Sequence, residues 1–326
     1  MAALSARGHE VVPIGIDRGG RWLPSEQAHE LLRAGQSIEG VAPGTALTAL
    51  SDWPGGAVDV VFPVLHGTYG EDGSLQGFLE MAGLPYVGCG VLSSALAMDK
   101  IMCKRIFREQ GFPTPEYVWF PAADWSSRAR AHVEAVCGYP CFVKPANLGS
   151  SVGVSKAKTE AELDEAVALA ARYDLKVIVE KAVPEAREIE CSVLGNERPQ
   201  ASVLGEIVPS REFYDYAAKY VDGTSELLIP APLEEPLAAR IRELAVRAFS
   251  ALDCSGMSRV DFLLSRSSGE IYLNELNTIP GFTAISMYPK LWEASGLPLV
   301  ELVDRLVELA LQRHQQRSRL STQRDP

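Results

Sequence analysis

Two carboxylates, one amide and one guanidinium stand on two neighbouring segments with the spacing of a shared surface. Ser258-Arg259-Val260-Asp261 is followed by Asn274-Glu275-Leu276-Asn277. Side chains alternate between the faces of an extended chain, so Arg259 and Asp261 share one face of their strand. Glu275 and Asn277 share one face of the next. Paired as a hairpin, the strands bring three oxygen ligands and a cation together. Oxygen-only ligands with two carboxylates suit magnesium, which completes its octahedron with water and substrate phosphates. A surface hairpin with cross-strand charge pairs fits the same spacing. The following segment, Thr278-Ile279-Pro280-Gly281-Phe282-Thr283, favours a site, because apolar side chains border its Pro-Gly turn as they border a pocket wall.

Four further segments carry chemistry. Phe142-Val143-Lys144-Pro145 leads into Gly149-Ser150-Ser151-Val152-Gly153. A strand delivers a lysine there, and a loop of small residues then presents backbone N–H groups and hydroxyls, which suits close cover of a triphosphate. It is no Walker A loop, since no Gly-Lys-Ser/Thr follows the glycines, and an ordinary glycine-rich hairpin reads the same way. Glu180-Lys181-Ala182-Val183 ends a strand, with Glu188 just beyond. Its backbone suits an adenine edge and an acid suits ribose hydroxyls, although a Glu-Lys pair at a strand end is commonplace. Leu65-His66-Gly67-Thr68-Tyr69-Gly70-Glu71-Asp72-Gly73 marks a tight loop at a strand exit, where open α/β sheets bind ligands. His66 reads equally as a structural hydrogen-bonder. Phe213-Tyr214-Asp215-Tyr216 with Lys219-Tyr220 is too polar for a core. It reads as a lid that excludes water, or as a loop packed on the surface.

The elements that must position these residues follow an α/β pattern. Residues 1–6 predict a helix ended by Gly8, and residues 11–16, 58–65 and 83–90 predict strands of a parallel sheet. Asp99 caps a helix that runs to about residue 110 and stops at Gly111 and Pro113. Strands are expected at 141–144, 175–180, 187–194, 200–207, 258–264 and 270–276. Thr159 and Glu162 form a capping box opening a helix whose apolar face carries Leu163, Ala166, Val167 and Ala170. Helices are expected at 234–252 and 298–311. The resulting division is an N-terminal α/β domain over 1–97, a central part over 98–182, a C-terminal part over 183–313 and a disordered polar tail over 314–326.

Composition narrows the classes. The 326-residue chain has a net charge of −11, with 42 acidic and 31 basic residues, and no basic stripe. Nucleic acid is therefore not an expected partner. No apolar run approaches the roughly 20 residues of a membrane span, and the first residues lack the character of a secretory signal. A cytoplasmic protein without membrane partner is expected. Cys89, Cys103, Cys137, Cys141, Cys191 and Cys254 form no Cys-x-x-Cys pair, so reduced structural thiols are expected.

Taken together, the segments at 65–73, 98–100 (Met-Asp-Lys), 143–153, 213–220, 259–261 and 274–283 resemble the ATP-grasp superfamily and, within it, the D-alanine–D-alanine ligases. The resemblance covers residues 11–311, and the six motifs stand in the family's order. It implies an ATP-grasp fold, α+β in the ATP-binding part, and ligation of two D-alanines through a D-alanyl phosphate for peptidoglycan precursors. It places Lys100 and Lys144 on ATP phosphates under the loop Gly149, Ser150 and Ser151. Glu180, Lys181 and Val183 take the adenine, Glu188 the ribose, and Lys219 with Tyr220 closes the lid. Asp261, Glu275 and Asn277 hold two magnesium ions, for which manganese substitutes. Arg259 and Gly281 face the developing oxyanion, with Ser150, Tyr220 and His66 beside them. His66, Ser286 and Met287 receive substrate, and a homodimer is implied.

The sequence begins downstream of the strand and glycine-rich loop whose glutamate, in that family, holds the first D-alanine's ammonium. A start codon set too late is the expectation, with an incomplete first-substrate site as written. Two alternatives stay open: a D-alanine–D-lactate ligase, which Lys219-Tyr220 argues against, and a non-catalytic ATP-binding remnant.

Overall fold

A computed structural model describes residues 1–16, 22–23, 30, 58–149, 151–208, 226–283 and 285–321. Ser150, the segment 213–220 with Lys219 and Tyr220, and the last residues 322–326 lie outside them.

Two antiparallel sheets form the frame. The four-stranded sheet has the order β3 (Tyr117–Pro121), β6 (Lys176–Lys181), β4 (Cys141–Pro145), β5 (Ser155–Ala157). The five-stranded sheet has the order β11 (Ile271–Asn277), β10 (Gly256–Ser265), β7 (Ala186–Gly195), β8 (Gln200–Val208), β9 (Glu226–Leu228). Helix α5 (Ser127–Val136) and helix α6 (Glu160–Ala170) cover one face of the smaller sheet, burying Val133, Leu163, Ala166, Val167 and Ala170 against Val143, Val177 and Val179. The four apolar positions expected for α6 are the four it buries. Thr159 Oγ1 accepts from Glu162 N at 3.3 Å. The return bond of Glu162 goes to Lys158 N at 2.7 Å, one residue earlier than the expected box.

Helix α7 (Glu235–Ala251) packs Ile241, Ala245, Ala248 and Phe249 on the larger sheet. Helix α4 (Lys100–Glu109) joins the same core through Cys103 and Phe107. Asp99 caps α4 as expected, accepting from Ile101 N and Met102 N at 3.0 and 3.1 Å. Its second oxygen pairs with Lys176 at the start of β6. Lys100 N donates to Ala146 O at 3.0 Å, so the first turn of α4 is tied to the ends of β4 and β6. All six cysteines are buried and free.

The N-terminal part departs from its expected strands. Helix α1 (Ala2–Ser5) is present, but the strand expected at 11–16 shrinks to β1 (Gly15–Ile16), paired antiparallel with β2 (Trp22–Leu23). Pro13 lacks a backbone donor, which disfavours a ladder through it. The strands expected at 58–65 and 83–90 meet in one parallel bridge, Val61 with Tyr86, held by Val61 N to Pro85 O (2.8 Å) and Val87 N to Val61 O (2.9 Å). Two helices that periodicity had not marked flank this bridge, α2 (Ser74–Met81) and α3 (Val91–Met98).

The C-terminal tail corrects another expectation. Helix α9 (Leu299–Ser318) continues seven residues past the predicted end at residue 311. Residues 314–326 are expected to be a disordered polar tail, but Arg317, like Arg313 just before it, is fastened to the body. Arg313 lies over the ring of Tyr86 and donates to Gly88 O, to Tyr86 O (2.9 Å) and to Ser255 Oγ (2.6 Å). Arg317 pairs with Glu80 at 2.5 Å. Contacts with segments far away in sequence stabilise a helical turn that local composition does not call for. The tail is therefore helical as far as Ser318 and fastened to the body through Arg317.

Candidate active site

The β10–β11 hairpin expected from the sequence is formed, and its register sets the site. Arg259 stands opposite Asn277 and Asp261 opposite Glu275, with a bulge just after Asp261. On the other side of β10, Asp261 stands opposite Glu190 of β7. Directly opposed residues share a face, so Glu190, Asp261 and Glu275 lie on one rung. Arg259 sits among these acids. Its Nε and Nη2 donate to the two oxygens of Asp261 at 2.8 and 2.7 Å, and Nε lies 3.0 Å from Glu190 Oε2. Burial opposes the guanidinium's charge, but Asp261 and Glu190 outweigh it and hold its pKa well above the ordinary value.

A second charged group comes from the smaller sheet. Glu180 on β6 is buried, with Lys144 Nζ on one oxygen at 2.8 Å and Lys104 Nζ 3.2 Å from the other. Burial favours the neutral acid, but Lys104 and then Lys144 overcome it and push Glu180 down to about 2. Lys104 was not singled out from the sequence. It is almost fully buried, and its Nζ also donates to Asn274 O at 3.2 Å, so one side chain of α4 ties both sheets together. The legible signal was its position four residues after Lys100, which puts both lysines on one side of α4. Lys100 itself donates to Leu148 O at 2.5 Å. Burial, with Lys144 adding to it, lowers the Lys100 pKa, against a pull upward from Glu275.

A cavity of about 470 Å³ opens beside the five-stranded sheet, bounded also by the loop of His66 and Glu71, the start of α4 and the residues that follow β4. It brings together many of the residues singled out from the sequence: His66, Lys100, Gly149, Arg259, Glu275, Asn277, Gly281, Ser286 and Met287 all line it. Asp261 is joined to this lining by its ion pair with Arg259, whereas Lys144 and Glu180, paired with each other, are not among the lining residues. Lys181, Val183, Glu188 and Ser151 are not among the lining residues. The N–H groups of Lys181 and Ala182 are already donated, to Glu116 O (2.8 Å) and Pro140 O (3.2 Å), so an adenine edge would have to use other groups of this linker.

One wall of the cavity depends on close packing. The loop holding His66 closes through Glu71, whose Oε2 accepts from Gly67 N at 2.7 Å and whose Oε1 lies 3.6 Å from His66 Nδ1. Gly149 of the small-residue loop rests on this carboxylate, since a Cβ there would lie 3.2 Å from Glu71 Oε2. Glu71 and Glu190 are cavity residues that sequence reasoning passed over as site members. Beside His66, Gly281 admits Ser286: a Cβ at 281 would come within 2.6 Å of Ser286 Oγ. That hydroxyl accepts from Thr283 N at 3.0 Å, and Ser286 precedes helix α8 (Met287–Ala294). Phe282 anchors the same turn edge-on against Phe62, ring centroids 5.5 Å apart.

The donor chemistry fits a magnesium ion. Asp261 and Glu275 offer carboxylate oxygens and Asn277 an amide oxygen, all hard ligands. Both Asp261 oxygens already accept from Arg259, and Asn277 Oδ1 accepts from Ile279 N at 3.0 Å. Each oxygen has a second lone pair, so these bonds leave acceptor capacity for a cation. Among the described residues no group of three His, Cys, Asp or Glu side chains is placed to hold a metal ion.

Comparison with known proteins places the chain. The family model "D-ala D-ala ligase N-terminus" matches residues 1–89, and "D-ala D-ala ligase C-terminus" matches residues 106–308. The D-alanine–D-alanine ligase of Heliobacterium modesticaldum is 51% identical over 336 residues, covering 99% of this chain and 92% of the relative. The chain belongs to the D-alanine–D-alanine ligase family. The ligase of Thermoanaerobacter sp. strain X514 is 58% identical over 265 residues, 80% of this chain and 73% of that one. Two solved structures share the fold. The VanG D-Ala:D-Ser ligase of Enterococcus faecalis has a TM-score of 0.80 at 38% identity, over 95% of this chain and 93% of that chain. The D-alanine–D-alanine ligase of Coxiella burnetii has a TM-score of 0.74 at 37% identity, over 94% and 86%. As a member of this family the chain is a ligase with the ATP-grasp fold. Among the described residues no helix is long and apolar enough to cross a membrane.

Proposed function

We propose that this chain forms D-alanyl-D-alanine from two D-alanines and ATP, in this cavity. The observation that carries the reading is the meeting of His66, Lys100, Gly149 and the residues Arg259, Glu275, Asn277, Gly281 and Ser286 around one cavity, from four regions far apart in sequence. The carboxylate of the first D-alanine attacks the γ-phosphorus of ATP, an O–P bond forms, and ADP leaves as the bridging P–O bond breaks. The amine of the second D-alanine then attacks the acyl carbon, and phosphate departs with the acyl C–O electron pair. The amine loses a proton as the peptide bond forms.

Each group has a part that follows from its chemistry. Lys100 and Lys144 neutralise phosphate charge under the loop of Gly149, Ser150 and Ser151. Phosphoryl transfer needs positioning and charge stabilisation rather than a covalent nucleophile. Asp261, Glu275 and Asn277 would hold magnesium, two ions in this reading with manganese able to replace them, which supplies charge neutralisation and Lewis acidity at the phosphates. Arg259 and the Gly281 N–H meet the oxyanion of the tetrahedral centre, fixed donors placed where charge develops. The segment around Glu180, Lys181 and Val183 takes the adenine and Glu188 the ribose. His66, Ser286 and Met287 receive the amino acids, while Lys219 and Tyr220 close over the acyl phosphate and keep water out. A homodimer in the cytoplasm completes the proposal.

The test is phosphate release and product analysis with ATP, magnesium and, in turn, D-alanine alone or D-alanine with D-serine or D-lactate. D-Alanyl-D-alanine should dominate at neutral pH. Equal yields with D-lactate, or a D-serine product in excess, would overturn the choice of acceptor. ATP binding without D-alanine-dependent phosphate release would overturn ligation itself.

A further inference from the structure

The Arg259 guanidinium is held from two sides, and the two holders differ in what else they are asked to do. Asp261 grips it with both oxygens, at 2.8 and 2.7 Å, yet Asp261 is also a metal ligand in the proposed reaction. Glu190 stands on the next strand in the same rung, with Oε2 3.0 Å from Arg259 Nε, and it lines the cavity. It is buried, at 6% exposure. A buried carboxylate is costly to retain unless a cation and hydrogen bonds compensate it, and at this position a neutral residue would complete the strand equally well. The proposed metal ligands, Asp261, Glu275 and Asn277, do not include it, and the cation it meets in this structure is Arg259.

We propose that Glu190 is the positioning residue for Arg259. A cation drawing on Asp261 weakens that carboxylate's grip on the guanidinium, and Glu190 is the partner that keeps Arg259 aimed into the cleft. Arg259 can then meet the oxyanion without first reorganising, which is the condition under which a fixed donor accelerates reaction. Glu190 acts through Arg259 and touches neither nucleotide nor metal. The inference rests on the ligation reading above.

The experiment compares the intact chain with Glu190→Gln, Arg259→Lys and the double variant. It measures steady-state phosphate release with D-alanine, calorimetric affinity for magnesium–ATP and thermal unfolding. Glu190→Gln should lower kcat at least tenfold, about 1.4 kcal/mol, while KM for ATP and the magnesium–ATP affinity stay within a factor of two. Because both changes strike one unit, the double variant should be no more than threefold slower than Arg259→Lys. Losses that multiply independently, or a kcat for Glu190→Gln within twofold of the parent, overturn the proposal. A parent chain without D-alanine-dependent turnover would instead sink the ligation reading. The thermal cycle then decides for Glu190: non-additive shifts in Tm support its coupling to Arg259, and additive ones overturn it. Glu190→Asp, which keeps the charge one methylene back, should recover part of kcat, and equal loss in Asp and Gln variants counts against positioning.

Discussion

On the four-stranded sheet one carboxylate, Glu180, is set against Lys104 and Lys144, with Lys100 beside the same cleft. On the five-stranded sheet one guanidinium, Arg259, is set against Glu190 and Asp261, with Glu275 completing the rung. The first group is three positive charges to one negative, and the second is three negative charges to one positive. Each group holds its minority charge firmly: Glu180 is pushed down to about 2, and Arg259 is raised well above its usual range. Each group keeps a surplus of opposite sign, and Lys100 of the first and Glu190 and Glu275 of the second line the same cavity. A polyphosphate fits the first surplus and a divalent cation the second. The pair arrives in solution as one complex, so two sheets with opposite surpluses suit it better than one uniformly charged pocket.

Changes on the acidic side should act on turnover, and changes on the basic side on stability and nucleotide affinity. Glu275→Gln removes one charge from the acidic rung. Turnover should fall by about 10²–10³, the scale for losing a group that stabilises developing charge. The Tm should hardly move, and near-normal phosphate release would remove the metal assignment.

Glu180→Gln should show the reverse pattern first in stability. It leaves Lys104 and Lys144 buried without their acid, and breaking a buried pair in this way costs about 3–5 kcal/mol. Urea unfolding at neutral pH reads this directly. The same residue gives a pH signature. Its folded pKa of about 2 lies below the ordinary 4.5, so its contribution is complete above the ordinary value and fades as pH falls from there toward 2. The unaltered chain should lose stability across that window, and the Gln variant should lose less.

Lys100→Met tests the phosphate side of the cleft. The side chain makes its one described bond to Leu148 O, so folding should tolerate the change. Loss of a charge-assisted contact of about 1.5–3 kcal/mol predicts a KM for ATP roughly ten- to a hundredfold higher. An unchanged KM would separate Lys100 from the nucleotide and leave the basic surplus to Lys144.

The smallest effect belongs to the outer layer of the four-stranded sheet. Thr159→Ala removes the cap of α6, at a cost of about 1 kcal/mol. KM for ATP should stay the same. A change in KM would mean that the packing of α6 reaches the cleft, and the contrast between framework and charged group would fail.

Much of this was legible because local rules and short-range spacing carry it. Strand alternation placed Arg259 with Asp261 and Glu275 with Asn277, and the register bears that out. The cap at Asp99 and the buried face of α6 follow from residue chemistry over one or two turns. The N-terminal strands and the tail were misread because their state depends on distant partners. Residues 58–65 make a single bridge to Tyr86, and α9 extends to Ser318 with Arg313 and Arg317 fastened to a segment more than two hundred residues away.

The sequence alone determined the candidate site residues and their order, since strand period, capping residues and six ordered motifs are properties of neighbours along the chain. Only the tertiary structure decided which charges confront one another. Lys104 and Glu190 look like ordinary surface residues in their own segments, a lysine on a helix and a glutamate on a strand. They become the partners of Glu180 and Arg259 because two sheets and α4 converge there. In that buried place an unpaired charge is too costly to persist, and pairing across distant segments is the solution the fold adopts.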